Sequence, residues 1–192
     1  MKLMDLSGTD DFKEACGNLW QQVRSDYGCD LVVSIAQGGV YVSEAMMLPG
    51  SITQEYVRCQ RPSTFWKGFL QPLIKLIPGR IKDALRKLEA SFRARKHRKR
   101  KQDDPHRSEK RQVLYGHSFE EAVRKASTIL IVDDAIDTGT TAVAVKRQIH
   151  NINRMAKIRI AVLTTTMDNP LISPDYVLYE QTLIRFPWSS DA

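Results

Sequence analysis

An apolar run that ends in paired acids, ILIVDDAIDTGTT at residues 129–141, restricts the folds open to this chain. Four consecutive apolar residues, three of them β-branched, are typical of a short strand that is buried on both faces of a parallel sheet. Asp133 and Asp134 follow this run directly. Because ligands bind beyond the carboxyl ends of the strands in such sheets, the pattern predicts that both carboxylates lie at a ligand-binding edge.

The turn after these acids indicates an anion site. It consists of Asp137, Thr138, Gly139, Thr140 and Thr141, and it runs directly into a predicted helix. Backbone N–H groups, threonine hydroxyls and the positive end of the helix dipole would converge there, which favours a bound phosphate. Carboxylates beside a phosphate would repel it unless they contact hydroxyls or a cation. The combination therefore predicts a sugar phosphate that is bound together with Mg²⁺.

Helical and strand patterns alternate through most of the chain. Apolar residues recur with a period near 3.6 in the helical segments, and the strand segments are short and rich in β-branched residues. This alternation predicts an α/β fold with a parallel sheet and helices on both faces. Ser118 and Glu121 have the spacing of a capping box. Helices are predicted over 10–27, 40–47, 118–126 and 141–149, and strands over 29–36, 51–60, 127–134, 157–166 and 175–180.

The composition fits a globular protein of one domain. With 192 residues, 42% hydrophobic and 27% charged, the chain can bury about two-thirds of its surface around a single core. No apolar run of about 18 residues is present and acids occur too early for a secretory leader, so a cytoplasmic protein is expected. Cys16, Cys29 and Cys59 lack disulfide-framework and zinc-ligand spacing, and we expect buried thiols.

The positive charge of the chain is concentrated in one segment. Residues 92–111 contain ten Lys or Arg and three acids, which accounts for the whole net charge of +7. This run belongs to a longer stretch, residues 61–116, that begins with aromatic and apolar residues interrupted by prolines and gives no strand signal. A stretch of that length predicts an insertion, a long helical and basic flap, within the domain.

The residues ILIVDDAIDTGTT resemble, without a gap, the phosphoribosyl pyrophosphate (PRPP) signature of the type I phosphoribosyltransferases. The resemblance implies one domain over residues 1–192, with a Rossmann-like parallel-sheet fold and a small hood. It implies that Asp133 and Asp134 hold the ribose 2′- and 3′-hydroxyls, directly or through metal-bound water, and that residues 137–141 bind the 5′-phosphate. It also implies that Asp137 faces the base and is the candidate general base.

A second segment, VVSIAQGG, resembles the pyrophosphate loop of the same family. In that loop a strand ends, and the backbone N–H groups of a glycine-containing turn bind the leaving group. The resemblance assigns this role to Ala36, Gln37, Gly38 and Gly39. Because Gln37 stands where many relatives have Arg or Lys, the pyrophosphate would lose one direct charge partner here.

A third segment, SPDYVLYEQTLIRFPW, is similar to the end of the 6-oxopurine phosphoribosyltransferases, which flanks the base pocket. The similarity implies a base pocket at Met167, Phe186 and Trp188; the alternative is that Phe186 and Trp188 pack on the core. The family's Lys for the 6-oxo group is missing, because no Lys follows Lys157. The aromatic residue that stacks on the purine in that family is replaced by Leu183 or Ile184, and the final Glu by Ser189. The base that accepts the phosphoribosyl group could therefore differ from a 6-oxopurine.

Two functions are compatible with these patterns. The first is a Mg²⁺-dependent enzyme of nucleotide metabolism and purine salvage, which transfers 5-phosphoribosyl from PRPP to a purine-like base and releases pyrophosphate. The second is a catalytically reduced sensor of PRPP or nucleotides that binds nucleic acid through the basic insertion. For the insertion, residues 65–111 could close over the pyrophosphate, bind nucleic acid, lie on a membrane or pack on the domain or on a second subunit of a homodimer.

Overall fold

The computed structural model describes residues 2–59 and 111–189 of the chain. Within these ranges eight strands and four helices are present. The strands are β1 (Lys2–Asp5), β2 (Leu31–Ile35), β3 (Thr53–Cys59), β4 (Val113–Tyr115), β5 (Thr128–Ile136), β6 (Lys157–Thr165), β7 (Tyr176–Tyr179) and β8 (Thr182–Arg185). The helices are α1 (Thr9–Asp26), α2 (Gly38–Ala45), α3 (Phe119–Lys125) and α4 (Thr140–Ile152).

Six strands form the central sheet, in the order β4-β3-β2-β5-β6-β7. Neighbouring strands are parallel except for β4, which runs antiparallel to β3. Strand β5 lies between β2 and β6, and its Val132 is the register partner of Ser34 on β2 and of Ala161 on β6. The predicted parallel sheet is confirmed, and the carboxyl ends of β2, β5 and β6 lie side by side.

Helices cover both faces of this sheet, as predicted. Val32 and Leu130 belong to one apolar cluster with residues of α1 and α2, whereas Leu31, Val33 and Ile131 belong to another with residues of α3 and α4. Side chains alternate across a strand, so a strand covered on both faces is buried at every position and is apolar except where a polar side chain is hydrogen-bonded, as Ser34 of β2 is to Ser43 of α2. This requirement explains why the sequence of β2 is an unbroken buried run.

A second sheet has two parallel strands, β1 and β8. Leu3 is the register partner of Leu183, and Arg185 of β8 forms an ion pair with Asp5 of β1 at 3.0 Å. The Thr164 hydroxyl on β6 donates to the carbonyl oxygen of Thr182, which ties this sheet to the central one. This two-stranded sheet is the part of the fold that corresponds to the predicted small hood. The sequence did not predict β1, whose four residues are too few for a periodic signal.

Two local predictions are wrong. The stretch 61–116 contains strand β4, in which Val113 pairs with Cys59 of β3, although three residues give no readable alternation. Ser118 and Glu121 do not form a capping box, because Ser118 makes no side-chain cap hydrogen bond. Its φ of −72° and ψ of −23° are helical, whereas a capping serine is normally extended. Glu121 pairs with Lys125 instead.

Most of the predicted insertion lies outside the described residues, and its role as a flap stays a prediction. Its two flanks are the register partners Cys59 and Val113, so the chain leaves and re-enters the sheet on adjacent strands. In the part that the structure describes, no helix is long and apolar enough to cross a membrane. Cys16 and Cys29 are buried thiols, as expected, whereas Cys59 is only partly buried.

The end of α1 is fixed to the amino-terminal ends of the central strands. Buried Tyr27, which follows the helix, donates its hydroxyl to the carbonyl oxygens of Lys157 at 2.7 Å and Ile129 at 3.2 Å. The guanidinium of Arg159 lies 4.8 Å from the centre of the Tyr27 ring. Hydrogen bonds from Tyr176 and Arg159 hold the pKa of the Asp26 carboxyl below its ordinary value. These contacts fix α1 at the edge opposite to the carboxyl ends of the strands.

Tyr27→Phe removes both hydroxyl contacts and leaves the ring in place. We expect the free energy of unfolding to fall by about 1 to 2 kcal/mol, because one buried and one partly buried carbonyl group lose a donor. Denaturant unfolding followed by circular dichroism measures this change. Tyr56→Phe, at a position that is 46% exposed on β3, is the matched control and should change stability by less than about 0.5 kcal/mol. Equal effects of the two substitutions would contradict the anchoring role of Tyr27.

Candidate functional site

The two loops that the sequence singles out meet at the carboxyl end of β5. A Cβ atom on Gly38 would lie 2.2 Å from the Asp134 carboxylate, and one on Gly39 would lie 2.3 Å from the carbonyl oxygen of Val132. Both separations are far below any allowed contact between non-bonded atoms. Only glycine therefore lets the first residues of α2 lie directly on the end of β5, next to the paired acids.

The segment proposed for pyrophosphate joins β2 to α2. The Ala36 N–H donates to the carbonyl oxygen of Val57 at 2.8 Å, which fixes the start of the loop to β3, and the peptide bond between Ala36 and Gln37 is cis. Gln37 is the N-cap of α2 and makes no side-chain cap hydrogen bond, and the first turn of the helix contains no acidic residue. No side-chain cap or acid of α2 therefore competes with an anion for the N–H groups at the start of this helix or for the positive end of its dipole.

The paired carboxylates occupy different environments. The Asp133 carboxylate accepts a hydrogen bond from the backbone N–H of Asp134 at 2.9 Å. Burial raises the pKa of the Asp134 carboxyl above its ordinary value, and the negative charge of Asp137 raises it further. The ionised form of Asp134 would therefore be stabilised by hydroxyl donors or by a cation.

The segment proposed for the 5′-phosphate is a tight turn between β5 and α4. Gly139 has a φ of 76°, in the left-handed region, and a Cβ atom there would lie 3.0 Å from the backbone nitrogen of Ile172. The Thr138 and Thr140 hydroxyls are hydrogen-bonded at 2.7 Å, and the Thr138 carbonyl accepts from the Leu171 N–H at 2.9 Å. Helix α4 begins at Thr140, one residue before the predicted start, with no acid in its first turn. A left-handed glycine directly before a helix start is compatible with an anion-binding turn, and the phosphate role of these residues stays a prediction.

Asp137, the candidate general base, is held by a residue that the sequence did not single out. The Thr166 hydroxyl donates a short hydrogen bond to the Asp137 carboxylate, and the Thr166 N–H donates to the Ile136 carbonyl at 3.0 Å. Thr166 directly follows β6, the neighbour of β5. The strand order could have indicated this pair, because the carboxyl ends of neighbouring parallel strands lie together.

A second contact that the sequence missed joins the basic stretch to the anion-binding turn. The guanidinium Nη1 of Arg111 donates to the Thr141 hydroxyl oxygen at 2.8 Å. Arg111 lies two residues before β4, and Thr141 lies in the first turn of α4. Arg111 thus contacts the turn proposed for the 5′-phosphate, and the closing of residues 65–111 over the pyrophosphate stays a prediction.

Two of the three residues predicted for the base pocket, Phe186 and Trp188, pack against each other. Met167 is partly buried beside Thr166, whereas Phe186 is 7% exposed in the cluster that includes α1. The Phe186 and Trp188 rings are stacked with centres 4.8 Å apart, and Trp188 also lies 4.7 Å from the ring of Tyr41. These contacts favour the packing alternative for Phe186 and Trp188, and the base pocket stays a prediction.

Comparison with known proteins gives one family match and many matches in fold. The family model described as the phosphoribosyl transferase domain matches residues 80–189, more than half of the chain. No curated protein sequence matches significantly.

Among solved structures, a purine phosphoribosyltransferase from Pyrococcus horikoshii is 20% identical, with a TM-score of 0.56, over 98% of this chain and 95% of that one. A Helicobacter pylori xanthine-guanine-hypoxanthine phosphoribosyltransferase is 14% identical, with a TM-score of 0.59, over 99% and 93%. A hypothetical protein from Neisseria gonorrhoeae with bound ppGpp is 15% identical, with a TM-score of 0.58, over 99% and 91%. These likenesses establish a shared fold, and they confirm the fold predicted from the sequence.

Gly39→Ala tests the contact between α2 and β5. The added methyl would lie 2.3 Å from a backbone carbonyl that cannot rotate away, so we expect the free energy of unfolding to fall by about 1 to 3 kcal/mol. Gly17→Ala in α1 is the matched control, because a Cβ atom there meets nothing within 4 Å. It should raise stability by about 0.5 to 1 kcal/mol through helix propensity. Chemical unfolding measures both, and a neutral Gly39→Ala would contradict the proposed contact.

Proposed function

Because the chain belongs to the phosphoribosyltransferase family, we propose that it transfers the 5-phosphoribosyl group of PRPP to a purine-like nitrogenous base and releases pyrophosphate. The observation that carries this proposal is the meeting of the two loops at the end of β5. PRPP has a phosphate at one end of its ribose and a pyrophosphate at the other. A site for it needs two anion-binding turns with hydroxyl-binding groups between them, and the paired acids next to the start of α2 support such an arrangement.

Each part of the donor then has a partner. The turn from Thr138 to Thr141 holds the 5′-phosphate, and the loop that starts at Ala36 holds the pyrophosphate through the backbone N–H groups of Gln37, Gly38 and Gly39. The Ala36 N–H is not among them, because it donates to the Val57 carbonyl oxygen. Asp133 and Asp134 accept hydrogen bonds from the ribose hydroxyls. These contacts fix the sugar and the leaving group relative to the acceptor, and positioning of this kind contributes much of the acceleration in such transfers.

The residues also fit Mg²⁺ as the cofactor. In the described ranges 2–59 and 111–189 no group of three or more His, Cys, Asp or Glu side chains could hold a metal. Mg²⁺ usually keeps several waters and is bound by one or two carboxylates together with substrate phosphates, which matches a site that offers Asp133 and Asp134. When bound, Mg²⁺ would supply positive charge beside the pyrophosphate.

Asp137 would take the proton of the attacking nitrogen. Transfer at C1′ develops positive charge on the ribose, and the nearby carboxylates stabilise that charge in a site whose dipoles are fixed. The hydrogen bond from Thr166 orients the Asp137 carboxylate, as a general base requires.

The acceptor is supported less directly than the donor. Purine phosphoribosyltransferases among the solved structures share this fold, which favours a purine-like base. Residues 166–189 contain a single cation, Arg185, and it pairs with Asp5 at the small sheet. A 6-oxo group would therefore have to be recognised without a lysine of this segment.

The second candidate function is a regulator that senses PRPP or nucleotides and binds nucleic acid through the basic insertion. A specific observation favours it, since the Neisseria gonorrhoeae protein of the same fold holds ppGpp. That nucleotide combines a guanine, a ribose and pyrophosphate groups, which are the chemical parts of a purine acceptor and PRPP. The same two anion-binding turns would suit it.

The double substitution Asp133→Asn and Asp134→Asn tests the donor site. We expect PRPP turnover to be abolished and the fold to stay intact, because the ribose hydroxyls lose their charged acceptors. Pyrophosphate release measures turnover, and circular dichroism monitors the fold. Asp10→Asn with Asp11→Asn, an exposed acid pair in the first turn of α1, is the matched control and should leave turnover unchanged. Unchanged turnover in the first variant would refute the assignment.

A panel of free bases separates the enzyme from the regulator. We expect at least one purine-like base to drive Mg²⁺-dependent pyrophosphate release from PRPP. An absence of release with every base, combined with tight binding of ppGpp, would favour the regulator. In that case nucleic-acid binding should weaken steeply with added salt and be lost on deleting residues 93–101, because clustered lysines and arginines bind phosphates by displacing counterions.

A further inference from the structure

Arg111 places a guanidinium at the turn that is proposed to bind the 5′-phosphate. Its Nη1 lies 2.8 Å from the hydroxyl oxygen of Thr141, in the first turn of α4. Thr138, Gly139 and Thr140 offer backbone N–H groups and hydroxyls, which are dipoles without net charge, whereas Asp137 at the start of the turn carries a carboxylate. Arg111 therefore supplies a full positive charge beside the turn.

The direction of this hydrogen bond leaves the turn able to bind an anion. Arg111 donates and the Thr141 oxygen accepts, so the hydroxyl proton of Thr141 can still be donated to a ligand. Neighbouring Thr138 and Thr140 share one hydrogen bond, in which only one of the two hydroxyl protons is used. A phosphate at this turn would meet hydroxyl donors with a guanidinium behind them, a combination that suits a charge-assisted contact.

The contact is not needed to attach β4 to α4. Tyr115 of β4 already accepts a hydrogen bond from the Gln148 side chain of α4 at 3.1 Å, and its ring packs against Phe119 of α3 at 4.5 Å. The Val113 side chain packs against the same apolar cluster. These contacts hold the strand in place without the Arg111 side chain.

We propose that Arg111 binds the 5′-phosphate of the phosphoribosyl donor, an inference that rests on the function proposed above. The residue stands at the end of the basic stretch, two positions before β4, and so connects that stretch to the donor site. The charge acts on the phosphate that stays bound throughout the reaction, not on the pyrophosphate that leaves.

Ribose 5-phosphate and PRPP together test this inference, because the first has the 5′-phosphate and lacks the pyrophosphate. Titration calorimetry measures the affinity of the full chain for each ligand in the presence of Mg²⁺. We expect Arg111→Gln to weaken both affinities by a similar factor, about tenfold to a hundredfold. Arg111→Lys should recover part of the loss, because it keeps the charge without the guanidinium fork. Arg124→Gln, an exposed arginine paired with Glu120 on α3, is the matched control.

The outcomes separate the possible roles. Loss of PRPP affinity with unchanged ribose 5-phosphate affinity would place Arg111 at the pyrophosphate and overturn the inference. Equal losses that accompany a lower unfolding midpoint and are not recovered by lysine would show a structural role and also overturn it. If the wild-type chain bound neither ligand, the proposed function would fail and this inference with it. If the wild type bound both and Arg111→Gln bound them equally well, only this inference would fail.

Discussion

The close approach of α2 to the end of β5 is the contact on which the site depends. Gly38 and Gly39 have no side chains, and this lets the start of a helix lie against the carbonyl oxygen of Val132 and the carboxylate of Asp134. A methyl group at Gly39 would meet backbone and push the helix away, and one at Gly38 would displace the Asp134 carboxylate or the helix. The positive end of α2 would then no longer lie beside the acids that follow β5, and the two halves of a donor site would be separated.

The order of the strands in the central sheet brings the other residues of the candidate site together. Strand β5 provides the acids and the anion-binding turn, β2 leads into the glycine pair, and β6 leads into Thr166. These three strands are neighbours and parallel, so segments more than ninety residues apart in the chain end at the same edge. Arg111 lies two residues before the antiparallel strand β4 and contacts Thr141 at the start of α4. Each contribution is local in sequence, and only the register of the sheet brings them together.

The sequence predicted those parts of the fold and the site that depend on backbone pattern. The apolar runs of β2 and β5 and the helix after Gly139 were predictable because burial on two faces and a left-handed turn leave few residue choices. The sequence did not predict β1 and β4, which are short and are held by their partners. Thr166 and Arg111 were missed as contacts of the site because threonine and arginine are common on surfaces. Their roles depend on which strand ends are adjacent.

The distribution of charge links the site to the choice between enzyme and sensor. Gln37 gives the pyrophosphate loop no cation, whereas Arg111 places one at the turn proposed for the 5′-phosphate. A charge on a phosphate that does not react stabilises the ground state and the transition state equally, so it tightens donor binding without lowering the barrier to transfer. A charge on the departing pyrophosphate would lower that barrier. On the proposed function, Arg111 would thus tighten donor binding, whereas Mg²⁺ and the basic stretch before Arg111 are the candidates to place positive charge on the departing pyrophosphate.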